Sequence, residues 1–251
     1  MRGDLAELRW YRTAAPARDV DGVGPTFVLV HGVGLSHRSY SRLGAALAPV
    51  GRVLALDLPG HGHAPAAHRR VPVEELAAAV AAGIGARRRG RGPVVFVGHS
   101  MGAEVATEVA ARQPDLVQGL ALVGPVVDTT ATTFVGQAAR LLRSTVQERR
   151  LTAVMSARDS LRCGPVSYAS GVRAMLRYST FERLRGLVVP LLVVRGTRDP
   201  IAPRRWADRL AAQVAGSSVV HVPGAVHDVV HSHPAAVGRA LDDFARRLDP
   251  A

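Results

Sequence analysis

Short, nearly unbroken apolar runs recur along the chain: TFVLVHG (26–32), RVLALD (52–57), VVFVG (94–98), GLALVG (119–124), PLLVVRG (190–196) and SSVVHV (217–222). A strand with one wet face alternates apolar and polar residues, whereas a strand covered on both faces need not. These runs therefore predict strands buried on both sides. Between them lie SRLGAALAPV (41–50), VEELAAAVAAGIGARRR (73–89), MGAEVATEVAARQ (101–113), RRWADRLAAQV (204–214) and AAVGRALDDFARRL (235–248). Their apolar residues fall three and four apart among strong helix formers, which predicts helices. Strand and helix alternating in this way imply parallel pairing with right-handed crossovers, hence an α/β fold with a mostly parallel, doubly wound sheet of about 7–8 strands. LAELRWYRT (5–13) predicts an additional edge strand.

One interval breaks the rhythm. Gly124 and Val188 are 64 positions apart, and a crossover needs only about a dozen residues or more. The surplus is itself patterned: TFVGQAARLLRSTVQER (133–149) sets Phe134, Ala138, Leu141, Leu142 and Val146 on one helical face, and GVRAMLRYSTFERL (171–184) reads as helical. An ordered insertion fits better than a linker. The expected organisation is a core of residues 1–125 and 187–251 with a helical cap, residues 126–186, inserted after strand 6.

Composition narrows the function. Of 251 residues 47% are apolar and 21% charged, enough for a large core. The net charge of +12 raises the question of nucleic acid. All 32 basic residues are arginine, and lysine and asparagine, with their A-rich codons, are absent, as expected of a GC-rich coding sequence. The arginines are scattered, and the one dense run, ARRRGRG (86–92), falls in an expected surface loop. No nucleic-acid partner is expected; a positive surface would instead attract acidic substrates or an acidic carrier protein. Cys163 is the only cysteine, so no disulfide forms within the chain. Asp4 and Glu7 stand where a signal peptide needs an apolar core, and the run Leu187 to Val194 is too short to span a bilayer. We expect a soluble bacterial cytoplasmic protein without membrane association; its oligomeric state is not encoded legibly.

Gly98-His99-Ser100-Met101-Gly102 joins an expected strand to an expected helix. A sharp strand-to-helix turn crowds the backbone, so glycines flank the serine, whose side chain then stands at the carboxyl edge of the sheet where ligands of α/β folds bind. A serine nucleophile needs a base. Of ten histidines, His227 follows the last expected strand by five positions, after a Pro223-Gly224 turn. His221 lies within the strand, and His231 and His233 begin the last helix with no accompanying glutamate of the zinc-protease kind, so no metal site is expected. An acid must orient the base. Asp199, in GTRDP after a buried strand, is favoured; Asp128 is the alternative, and Asp228 adjoins His227 and would point away from it. His31-Gly32-Val33-Gly34 can turn the Val33 N–H toward a ligand, with the Met101 N–H as the second oxyanion donor.

With HGVG (31–34), DLPGHG (57–62), GHSMG (98–102), GTRDP (196–200) and GAVH (224–227) in this order, the chain resembles the α/β-hydrolase fold superfamily, in particular its capped serine-nucleophile members. The resemblance covers nearly the whole chain outside the cap. It implies a Ser100–His227–Asp199 triad, a structural role for DLPGHG without catalytic duty for His61 or His63, and no cofactor. Dehalogenases and epoxide hydrolases of this fold use an aspartate where Ser100 stands. The expected activity is hydrolysis of a small-molecule carboxylic ester through an acyl-enzyme, with Phe134, Leu141, Met155 and Tyr168 of the cap as pocket candidates. Alternatives are C–C bond hydrolysis and thioesterase, cyclase or acyltransferase chemistry on a CoA or carrier-protein thioester. A ligand-binding protein without turnover is disfavoured by the intact motif set.

Overall fold

The computed structural model describes residues 7–14, 24–87, 91–126 and 150–248, without the side chains of 13, 14, 150–153 and 155. Among the described residues, seven strands form one sheet in the order β1-β3-β2-β4-β5-β6-β7. They are β1 (Arg9–Ala14), β2 (Thr26–Val30), β3 (Arg52–Asp57), β4 (Val94–His99), β5 (Gly119–Val123), β6 (Leu191–Gly196) and β7 (Ser218–Val222). All neighbours are parallel except β1, which pairs antiparallel with β3 at the edge.

Period-two alternation divides the core. In β2, Val28 and Val30 face one side, while Phe27 and Leu29 face the other. The first layer is completed by α2 (Val73–Gly85), α3 (Met101–Arg112) and α6 (Arg204–Ala211), whose Trp206 is fully buried. The second is completed by α1 (Ser41–Leu47) and α8 (Pro234–Arg246), where Val237, Leu241 and Phe244 recur at helical spacing. Pro234 opens α8 at a position whose N–H would have no helical partner. A short helix, α7 (Val229–Ser232), precedes it.

Between β5 and β6, the fifth and sixth described strands, lie α4 (Arg150–Arg177) and α5 (Thr180–Leu184). The sequence pattern suggested one helical stretch over 171–184. The structure ends α4 at Arg177 and starts α5 after Ser179, whose hydroxyl accepts the Glu182 N–H at 3.3 Å. Within α4, Gly164 takes φ +71° and Pro165 restarts the helix, glycine permitting the left-handed residue and proline suiting the first position. The helix expected over 73–89 stops at Gly85.

Candidate active site

The site assembles at the carboxyl edge of the sheet, from segments following β2, β4, β6 and β7. Ser100 stands between β4 and α3 at φ +55°, ψ −124°, the only non-glycine residue with positive φ among those described. Its neighbours must be small: a Cβ on Gly98 would lie 2.2 Å from the Gly102 carbonyl oxygen, and one on Gly102 2.0 Å from that of Val30. Both obstacles are backbone, so neither can swing aside.

Beyond β7, His227 is buried next to Ser100; beyond β6, Asp199 is buried next to His227. The loops carrying them are tied together: the Arg198 N–H donates to the Ala225 carbonyl at 2.9 Å, and the Gly224 N–H to Thr197 Oγ1 at 2.9 Å. Asp199 Oδ1 accepts the N–H groups of Ile201 (2.8 Å) and Ala202 (3.0 Å), and Oδ2 lies 2.9 Å from His227 Nδ1. Burial alone would raise the Asp199 carboxyl; the His227 ring and the two N–H donors outweigh it and hold the group below the ordinary carboxylate range. An ionised carboxylate only accepts, so Nδ1 carries the proton. His227 Nε2 is then the acceptor, 3.1 Å from Ser100 Oγ.

His99, unassigned from sequence, supports this arrangement. Its Nε2–H donates to the His227 carbonyl at 2.9 Å, which fixes the backbone of His227. Full burial, then the neighbouring His227, push His99 down to about 3, so it stays neutral. Gly124 is a second unassigned contributor. At φ +55° it leaves room for the imidazole, because a Cβ there would sit 3.1 Å from His227 Cε1 and Nδ1.

Across from Ser100, the Leu35 N–H closes a turn onto the Gly32 carbonyl at 3.2 Å, with Gly34 at φ +70°. Positive φ at the third residue of a turn selects glycine. This closing bond leaves the Val33 N–H unused, and the Met101 N–H is equally without a partner among the described residues. His31 sets the base of the turn: its Nδ1–H donates to the Gly32 carbonyl (2.8 Å) and its Nε2 accepts the Leu58 N–H (3.0 Å). Burial is the main reason His31 is pushed down to about 3.

A cavity of about 1080 Å³ opens beside Met101. Leu58, Val71, Leu76, Val172 and Leu176 give it an apolar floor, and His68, Arg69, Arg70, Arg173 and Arg177 line it without any described carboxylate. Arg69 is paired with Glu75 at 2.5 Å. Tyr168, a pocket candidate of the sequence analysis, lines the cavity from α4. Phe134, Leu141 and the rival acid Asp128 lie outside the described residues, as does the side chain of Met155. His61, expected to have no catalytic duty, borders the cavity; His221 is half-buried on β7 near Asp208, and His231 is buried on α7. Elsewhere, His37, Asp57 and His63 gather within 4.8 Å. Asp57 already accepts from the His37 ring and from the N–H groups of His37 and His63, and the Arg38 guanidinium donates to His63 Nε2. No described helix is long and apolar enough to cross a membrane.

Residues 27–240 match the model of the alpha/beta hydrolase family. The chain belongs to the alpha/beta hydrolase family. This alpha/beta hydrolase is 30% identical over 241 residues to the pimeloyl-(acyl-carrier protein) methyl ester esterase of Neisseria meningitidis serogroup C, covering 86% of this chain and 91% of that one. It is 28% identical over 271 residues to the esterase of the same name from Sodalis glossinidius, covering 96% and 99%. Among solved structures, the enol-lactonase of Burkholderia xenovorans LB400 superposes with a TM-score of 0.79 at 24% identity, covering 95% of this chain and 96% of that one. That likeness concerns the fold. The expected α/β-hydrolase fold is met, with the insertion after the fifth described strand rather than the sixth, and the protein is a hydrolase of this family.

Proposed function

We propose that the protein hydrolyses a carboxylic ester, with Ser100 as nucleophile, His227 as base and Asp199 orienting the base. The observation that carries this reading is the buried, hydrogen-bonded chain from Ser100 Oγ through His227 to Asp199, beside a cavity large enough for an acyl group. Ser100 Oγ attacks the ester carbonyl as its proton passes to His227 Nε2. The charge on the carbonyl oxygen is received by the Val33 and Met101 N–H groups. His227 then protonates the leaving alcohol, and water, deprotonated by the same ring, releases the acid and restores Ser100. We assign the segment 126–186 as a cap, whose described helix α4 forms one wall of the pocket.

The lining suggests the substrate's character. Arg70, Arg173 and Arg177 have no carboxylate partner among the described residues, so an ester carrying a remote anionic group suits a cavity with an apolar floor. The named relatives are esterases of a carrier-linked acyl methyl ester, which is consistent with an anionic group distant from the cleaved bond. The same arginines favour a thioester of coenzyme A or of an acidic carrier protein as the second reading.

A fluorophosphonate probe should label the wild-type protein and not Ser100→Ala, with ester turnover lost in parallel. Labelling that survives Ser100→Ala would place the nucleophile elsewhere. With the monomethyl ester of a medium-chain dicarboxylic acid, Arg173→Ala and Arg70→Ala should raise KM about 5–20-fold, the scale of one charge-assisted contact. KM for the uncharged dimethyl ester should stay nearly constant. Equal effects on both esters would remove the anion from the argument, and faster turnover of an acyl-CoA than of any oxygen ester would favour the second reading.

A further inference from the structure

Helix α4, encoded far from the oxyanion-side turn, grips that turn at several points. Asp159 is 1% exposed, and its Oδ2 accepts the Ser36 hydroxyl at 2.5 Å. Its Oδ1 lies 3.4 Å from an Arg38 guanidinium nitrogen. Ser36 in turn fixes the chain leaving the turn: its Oγ accepts the Arg38 N–H (3.3 Å), and its carbonyl accepts the Ser39 hydroxyl (2.7 Å). At the next position along the helix, the Ser160 hydroxyl donates to the Gly34 carbonyl at 3.2 Å. Further along α4, the Tyr168 ring is packed over Gly34, where a Cβ would lie 2.7 Å from Cε2, and Gly171 comes so near Val33 that a Cβ there would lie 2.9 Å from its Cγ2.

These contacts bear on Val33 and Gly34, inside the turn that the Leu35 N–H closes onto Gly32. A two-glycine turn has little stiffness of its own. His31 holds the base of the turn, α4 makes the further contacts, and Asp159 supplies a buried acceptor to Ser36. A buried carboxylate is retained where its hydrogen bonds are made, and its partners are correspondingly fixed.

We propose that Asp159 is a positioning residue for the oxyanion donor: through Ser36 it holds the turn Gly32–Leu35 so that the Val33 N–H faces the carbonyl oxygen of the reacting ester. It touches no substrate. The proposal rests on the ester-hydrolase reading above. It makes the inserted segment a part of the transition-state machinery as well as a wall of the pocket.

The test compares Asp159→Ala, Asp159→Asn and Ser36→Ala with wild type, using p-nitrophenyl butyrate and inhibition by phenylboronic acid, with active enzyme counted by fluorophosphonate titration. Asparagine keeps an oxygen that accepts the Ser36 hydroxyl; alanine does not. Asp159→Ala and Ser36→Ala should lose about 10–100-fold in kcat with KM changed less than about threefold, a fraction of the loss on deleting an oxyanion donor outright. The boronic acid, whose bound form places an oxygen at the same N–H groups, should weaken by a similar factor. Asp159→Asn should stay within about threefold of wild type on both measures. Unchanged kcat in Asp159→Ala and Ser36→Ala, a loss confined to KM, or an equal loss in Asp159→Asn overturns the proposal. If Asp159→Ala does not fold, Ser36→Ala and Asp159→Asn carry the same comparison. A wild-type protein that the fluorophosphonate does not label at Ser100 would instead overturn the reading beneath it.

Discussion

Two side-chain exchanges separate conformation from chemistry at the proposed triad. At φ +55°, ψ −124°, any residue with a Cβ is strained, by about 1–3 kcal/mol. Ser100→Gly should therefore melt about 2–8 °C above Ser100→Ala, although both are inactive, because about 1–2 kcal/mol of strain is relieved in a protein of this size. Equal melting temperatures would mean that the elbow is unstrained. At Asp199 the exchange is electronic. In Asp199→Asn the new amide can present an N–H to His227 Nδ1, which would move the ring proton to Nε2 and leave no acceptor for Ser100. This variant should lower kcat by about 10³–10⁴-fold with the fold intact. Ser100 was legible in the sequence because glycines and a strand-helix junction surround it, and His227 because it follows the last strand at loop distance. His99 and Asp159 were not. The contact of His99 with the His227 carbonyl joins residues 128 positions apart, and that of Asp159 with Ser36 joins residues 123 apart. No local pattern encodes either.

At the scale of elements, the strand readings were nearly complete, since runs buried on both faces leave little else for the chain to do. Helix ends were harder. The run expected over 73–89 stops at Gly85, and the break between α4 and α5 is set by the Ser179 cap, a single hydroxyl that helical periodicity does not register. A buried carboxylate also joins elements here. Glu108 on α3 accepts from Tyr178 at 2.8 Å and Arg183 at 2.7 Å, fastening the end of the inserted segment to the helix that follows Ser100. The packing of α3 against β2 makes a sharper prediction. In Gly102→Ala the new Cβ meets the Val30 and His31 carbonyl oxygens at 2.0 and 2.7 Å. We expect a loss of about 3 kcal/mol, read as a fall of about 6–12 °C in Tm; a shift under about 2 °C would show that β2 and α3 can separate cheaply.

For the whole molecule, burial of neutral histidines sets the response to acid. His31 and His99 titrate at about 3 when folded, largely through burial, and near 6.5 when unfolded. Between about pH 6.5 and 3 these two rings bind protons in the unfolded chain only, so their contribution to stability falls as pH falls, while Glu104, whose carboxyl burial pushes well above the ordinary range, opposes them above its unfolded value. Asp199 acts in the same direction as the two rings, lower down: its folded value is depressed, so its contribution is present above about pH 4 and lost as pH falls through the folded value. Thermal melts should thus show Tm declining steadily from about pH 7 to 5, by several degrees; a flat profile there would mean that these rings are hydrated. The architecture also bears on how such proteins diversify. A sheet that carries its reactive groups on separate loops invites exchange of the segment between β5 and β6 for that of a relative. The Ser36–Asp159 hydrogen bond limits which exchanges succeed. A transplanted segment lacking an acceptor at that position would fold against the sheet yet leave a buried hydroxyl stranded, and the recombinant would be a stable protein with poor turnover. Inherited together, the two residues make the segment portable; inherited apart, they mark it as foreign.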